Sequence, residues 1–139
     1  MDIVLDTDVI VAGLRSPSGA SAEILRRARL RQLRICASVP LFMEYEAVCS
    51  RMEHLEAAGL HPEDLPVFLD ALAYLIRPIH IHYLWRPQLR DLADELVLEA
   101  AINAGAHALI TFNRKHFEAA AARFSLPVMT PGAFLRSLQ

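Results

Sequence analysis

The stretch Ile3-Val4-Leu5-Asp6-Thr7-Asp8-Val9-Ile10 decides the reading of this chain. Three apolar β-formers run straight into two carboxylates. A buried strand has no use for a carboxylate at its tip, because an unpaired charge in an apolar setting is costly. In an open α/β sheet, the carboxyl ends of the strands are where ligands and metals are met. The opening therefore predicts a first strand over 3–7 whose tip carries chemistry. A short helix is expected over 8–14, broken by Ser16-Pro17-Ser18-Gly19.

Outward from that point, strands and helices alternate. Ser21 is placed to cap a helix to about Leu30, and Leu33 to Ala37 is a second apolar strand. Ser38, with Pro40 behind it, opens a helix whose stripe is Leu41, Tyr45, Val48 and Met52. Gly59 and Pro62 precede another helix through Leu65, Phe68, Leu69, Leu72 and Leu75. The alternation in Pro78-Ile79-His80-Ile81-His82-Tyr83 predicts a half-buried strand. Asp91 opens a helix that ends at Gly105, and Ala108 to Phe112 is a fully apolar strand. Arg114 to Arg123 reads as helix, Pro127 to Thr130 as a last strand, and Pro131 begins a terminal helix. Such alternation indicates an α/β fold with a mainly parallel sheet. No repeat or linker interrupts it, so residues 1–139 are expected to form one domain.

Composition narrows the class. The chain is 54% hydrophobic and 22% charged, the balance of a compact globular protein. No apolar run reaches the ~18 residues of a membrane span. Asp2 and Asp6 interrupt any signal-peptide pattern, so a cytoplasmic location is expected. Cys36 and Cys49, each among apolar residues, are expected to be reduced and buried. The net charge of -2 announces no general affinity for nucleic acid. Yet Arg26, Arg27, Arg29, Arg31 and Arg34 fall within nine residues, and Lys115 is the only lysine. Arginine suits planar contact with phosphate or carboxylate, while a solvated helix face is the alternative.

Several acids could join Asp6. Glu44 follows Leu41 by three residues and precedes Val48 by four, which places it beside the buried stripe. There it needs a partner, either a shared site or an arginine such as Arg15 or Arg51. Asp91, Asp94 and Glu95 crowd one helix start, where acids complement the helix dipole. Asp91 suits a cap. Asp94 leads the face of Val97, Leu98 and Ala101, and is the site candidate of the three. Asn113 stands at the end of the Ala108–Phe112 strand; it suits a turn, or one contact through its carbonyl. Oxygen donors of this kind match magnesium or manganese, which serve phosphodiester hydrolysis. The chain has no zinc spacing, with His80 and His82 alone on one strand face. It also lacks a Gly-rich phosphate loop and a Gly-x-Ser-x-Gly elbow. An aspartyl-phosphate hydrolase would need an acid beside Lys115, and none is there.

Taken in order, Val4-Leu5-Asp6-Thr7-Asp8-Val9, Ser38-(x5)-Glu44-Tyr45, Asp91-(x2)-Asp94-Glu95-(x4)-Ala100-Ala101, Gly105-Ala106 and Ile110-Thr111-Phe112-Asn113 resemble PIN domains. More narrowly, they resemble the VapC-like toxin components of bacterial toxin–antitoxin pairs. The resemblance implies a three-layer α/β/α sandwich around a mainly parallel sheet. It implies a magnesium- or manganese-dependent endoribonuclease acting on single-stranded RNA, a homodimer, and silencing by a cognate antitoxin. By position, Asp6, Glu44 and Asp94 match the principal acids. Asp6 and Asp94 would hold the metal, with Glu44 completing its sphere or orienting water. Members often carry a further acid where this chain has Asn113 or His116, and Asn where it has Asp8. Asn113 is thus expected to supply a ligand or position a water, with Asp8, Asp91 and Glu95 in support. Arg114, Lys115 and the Arg26–Arg34 cluster are expected RNA contacts. The alternative is a weakened PIN-like domain that binds RNA or protein without cutting.

Overall fold

The computed structural model describes residues 1–84 and 86–139. Its elements run β1 (Asp2–Leu5), α1 (Thr7–Arg15), α2 (Ala20–Arg29), β2 (Arg34–Ala37), α3 (Val39–Cys49), α4 (Met52–Ala58), α5 (Leu65–Leu75), β3 (Ile76–Pro78), α6 (Leu92–Ala104), β4 (Ala108–Ile110), α7 (Glu118–Ala122), β5 (Val128–Met129) and α8 (Pro131–Ser137). Short 3-10 turns at Pro62–Asp64 and Arg114–His116 precede α5 and α7. The strands form one sheet in the order β3-β2-β1-β4-β5, and every pairing is parallel. This is the expected α/β fold with helices flanking a parallel sheet.

The sheet is buried because its strands are apolar throughout. Ile3, Val4 and Leu5 are fully buried, as are Ile35, Cys36, Leu109 and Ile110. Each large aliphatic side chain so placed contributes roughly 1.5–3 kcal/mol. The order of strands also fixes where a site can form. The chain steps outward from β1 to β2 to β3, then returns through α6 to β4 on the other side of β1. Helix α6 makes that return packed on β2, β1 and β4. The strand order thus reverses between β1 and β4, leaving a crevice at their carboxyl ends. Asp6 follows β1 there, and Thr111 follows β4.

Several boundaries differ from the sequence reading. The predicted strand over 78–83 is instead Ile76–Pro78 at the sheet edge, where a proline lacking N–H is tolerated. The Ile79 amide still donates to Ala37 O at 3.1 Å. Beyond it the amides of His82 and Tyr83 leave the sheet and donate to Asn103 Oδ1 of α6 at 2.9 Å. Of the alternating apolar residues, Ile79 still packs on the core, while Ile81 and Tyr83 do not. Gly19, not Ser21, caps α2; Ser21 lies buried inside the helix. Met52 does not extend the α3 stripe but starts α4, because the chain turns at Ser50 and Arg51. The predicted helix over 114–123 divides into a 3-10 turn and the short α7. Ser38 and Asp91 do cap their helices, through Leu41 N and Ala93 N, and Cys36 and Cys49 are free and buried.

Candidate active site

Asp6 is both cap and site residue. One carboxylate oxygen accepts from the Thr7 amide at 2.8 Å. The other accepts from the Thr111 hydroxyl at 2.7 Å. Thr111 is fully buried, so it fixes the Asp6 carboxylate from the neighbouring strand. The Asn113 amide donates to the same hydroxyl at 2.9 Å. The sequence reading gave Thr111 no role. Its one signal is a hydroxyl at the end of an apolar strand, two residues before the turn.

Asp8 lies in the first turn of α1 and faces the same loop. Its Oδ2 accepts from the Phe112 amide at 3.2 Å and from Asn113 Nδ2 at 3.0 Å. Its Oδ1 is buried without a donor. Burial, and after it the negative charge of Asp6, pushes the Asp8 carboxyl up to about 7. A protonated Asp8 is placed to donate to the Asp6 carboxylate; an ionised Asp8 leaves that oxygen unsatisfied. Asp8 is therefore integral to the cluster. Asn113 reaches Asp8 through its amide donor, which orients the acid.

Asp94 stands in the first turn of α6. Burial raises its pKa, and the charges of Asp6 and Asp91 raise it further. His116 Nδ1 lies 3.2 Å from Asp94 Oδ2 and works in the opposite direction. Asp6 is raised too, chiefly by burial, against the hydrogen bonds from Thr111 and Thr7. All three acids thus resist ionisation, chiefly because each is desolvated, and Asp8 and Asp94 also feel the charge of Asp6. Asp91 caps α6 from an exposed position, as its sequence suggested.

Glu44 and Glu95 are placed differently. Glu44 is half-buried on α3, beside Tyr45, whose hydroxyl donates to Leu5 O at 2.5 Å. Among the described residues, no hydrogen bond or ion pair reaches Glu44, and neither Arg15 nor Arg51 pairs with it; Arg15 instead meets His54 at 3.5 Å. Glu44 is also absent from the leading charges acting on Asp6, Asp8 and Asp94. Glu95 is buried and accepts from the amides of Gln88 and Leu89, the latter at 2.5 Å. Its carboxylate is committed to that loop. Glu99, one turn on, holds Arg86 through paired bonds of 3.0 and 2.6 Å. Together with Asn103, these side chains make a polar stripe at four-residue spacing along α6. The sequence reading missed it.

Two clefts adjoin the acids. One, of about 610 Å³, is lined by residues that include Asp91, Asp94, Arg90, Lys115 and His116. The other, of about 410 Å³, runs from Phe112 to Glu118 and shares Lys115 and His116 with it. Arg114 is tied to Glu118 at 3.0 Å; Lys115 and Arg90 have no ion pair among the described residues. The Arg26–Arg34 cluster is elsewhere. Arg26 and Arg27 pair with Glu23. Arg34 bonds Asp2 at 2.6 Å, at the amino ends of the strands. The cluster cannot grip a strand lying over Asp6. His80 and His82 are exposed, with rings 6.3 Å apart.

A hard divalent cation fits the donor set. Buried like charges and an orphaned carboxylate oxygen are what such an ion relieves. Among the described residues no three His, Cys, Asp or Glu side chains are arranged as a metal-holding group. Magnesium needs only one or two carboxylates, with waters completing the sphere. Asp6 and Asp8, which face one loop, offer that minimal set, with Asp94 at the start of α6 as the further carboxylate.

No helix among the described residues is long and apolar enough to cross a membrane. A search of curated proteins returned no match. Residues 2–115 match the family model described as PIN domain, a nuclease-like fold whose members are generally metal-dependent RNases; the chain belongs to the PIN domain family.

Proposed function

We propose that this chain is a magnesium- or manganese-dependent endoribonuclease that hydrolyses phosphodiesters of single-stranded RNA. The observation that carries the reading is the pair Asp6 and Asp8 at the β1/β4 crevice, with Asp94 close enough for the charge of Asp6 to act on it, each raised above its ordinary pKa. What a bound cation supplies in such a site is polarisation of the phosphoryl group and activation of water. The chain's own residues do the positioning. Thr111 and the Thr7 amide aim Asp6, Asn113 and the Phe112 amide aim Asp8, and His116 steadies Asp94. Glu44 remains the candidate to complete the sphere or orient water, from its half-buried place on α3. Lys115 and Arg90 line the adjoining cleft and would bind the backbone as phosphate contacts do. Arg114 would join them once released from Glu118.

The wider reading follows the resemblance to VapC-like toxins. Residues 1–139 act as one PIN-like domain in the cytoplasm, as a homodimer silenced by a cognate antitoxin. A dimer would cover apolar side chains such as Val39 and Met43, which are 68% and 60% exposed on α3. A short upstream reading frame for a DNA-binding antitoxin-like protein would support the pairing.

The test is cleavage of single-stranded RNA by purified protein with magnesium or manganese. Asp6→Asn and Asp94→Asn are each expected to lose at least the roughly 10–100-fold that disturbing the support of a metal's ligands costs, with unchanged circular dichroism. Full cleavage by either variant overturns the assignment. RNA binding that needs no metal, with no cleavage by the wild type, would favour the non-cutting alternative.

A further inference from the structure

At the opposite end of the sheet from the acids, Arg29, Arg31, Arg34 and Arg77 line a cleft of about 410 Å³ together with Tyr74. These residues come from α2, the turn after it, β2, β3 and α5, so only the fold assembles them. The site is built rather than incidental. Asp2 is 8% exposed, and its carboxylate accepts from Arg34 Nε at 2.6 Å and from Arg77 Nη1 at 2.8 Å. Both guanidiniums remain half-exposed while so anchored. Among the described residues Arg29 and Arg31 have no ion pair. Four guanidiniums against one carboxylate leave the cleft strongly positive.

Arg31 adds an independent observation. It sits at φ 61, in the left-handed region. Its amide donates to Ala28 O and the Gln32 amide to Arg27 O, the double bond of a helix-closing turn. Helices α4 and α6 close with the same turn on Gly59 and Gly105, and α7 closes with it on Ser125 at φ 53. Glycine is the ordinary choice because a Cβ is strained there. The last turn of α2 already carries Arg26, Arg27 and Arg29, so a further charge for the helix dipole explains little. The strained arginine instead completes the cleft.

We infer that this basic cleft, formed by Arg29, Arg31, Arg34 and Arg77 with Tyr74, is a second binding site for single-stranded nucleic acid, separate from the acidic crevice. Guanidiniums pair with phosphate in planar, two-point contacts. Tyr74 is 80% exposed and offers a ring on which an unpaired base stacks. An acidic peptide would use the arginines and leave the ring idle, so the ring favours nucleic acid.

The experiment measures binding of a fluorescent single-stranded oligoribonucleotide in EDTA, over a series of salt concentrations, in an Asp6→Asn background. Arg31→Gly is expected to weaken binding and to flatten the salt slope by about 0.7, while Tm holds or rises because the strain is removed. Arg29→Gln carries the same test should Arg31→Gly lower Tm. Tyr74→Ala is expected to lose about fivefold or more, and Tyr74→Phe to retain affinity. Unchanged affinity and salt slope in the Arg29→Gln/Arg31→Gly double variant would overturn the proposal. So would competition by polyglutamate equal to that of RNA with no effect of Tyr74→Ala, which would assign the cleft to an acidic protein. Cleavage by the wild type is read separately, so loss of the nuclease assignment and loss of this one are distinguishable.

Discussion

At the residue scale, Asp8 is the most informative side chain. Asn at its position would donate to Asp6; Asp can do so only while protonated. Its folded pKa, about 7, lies above the ordinary 3.8. Between these values the folded chain holds a proton that the unfolded chain has released. Asp8 therefore lowers stability as pH rises through that window, and its effect levels off above about 7. In EDTA, the wild-type Tm is expected to fall from pH 4.5 to 7.5 more steeply than that of Asp8→Asn. Parallel Tm–pH curves would contradict this account of the cluster. Asp6 and Asp94 were legible because each combines a carboxylate with an apolar strand or helix face. Thr111 was not, because its partner is 105 positions away in sequence.

At the element scale, caps and closures were well marked. Ser38 and Asp91 open α3 and α6, and Gly105 closes α6 in the left-handed conformation at φ 60. No atom lies near a Cβ added at Gly105, so substitution there meets only the backbone penalty. Gly105→Ala is expected to cost about 1–2 kcal/mol, seen as a lower Tm in thermal melts with cleavage otherwise unchanged. A neutral result would mean that the turn relaxes. The region after β3 was misread for an instructive reason. Alternating Ile79, Ile81 and Tyr83 satisfy the period of a strand, but period alone does not supply a neighbour to pair with. The chain there is held by Asn103, and the loop at Gln88 and Leu89 by Glu95. Those polar residues lie on α6, the helix whose first turn carries Asp94.

At the scale of the whole molecule, the net charge of -2 conceals a separation: acids gather at the carboxyl ends of the strands, arginines at the amino ends. A cation that binds only the folded chain stabilises it by mass action, about 2.7 kcal/mol at 100 times Kd. Magnesium is expected to raise Tm more at pH 8 than at pH 5, because the proton held by Asp8 below about pH 7 competes with it. Asp6→Asn should remove most of that gain. An equal magnesium shift at both pH values would place the ion elsewhere.

The sequence by itself determined the parallel α/β class, the strand tip at Asp6, the placement of Asp94 and the reduced cysteines. These depend on local period, capping and burial, which neighbouring residues carry. Only the tertiary structure decided that Asp8 belongs with Asp6, that Thr111 and Asn113 aim the pair, and that Arg31 lines one cleft with Arg77 and Tyr74 far from the acids. Such contacts depend on strand order. The reversal of that order beside β1 joins residues that the chain itself keeps far apart.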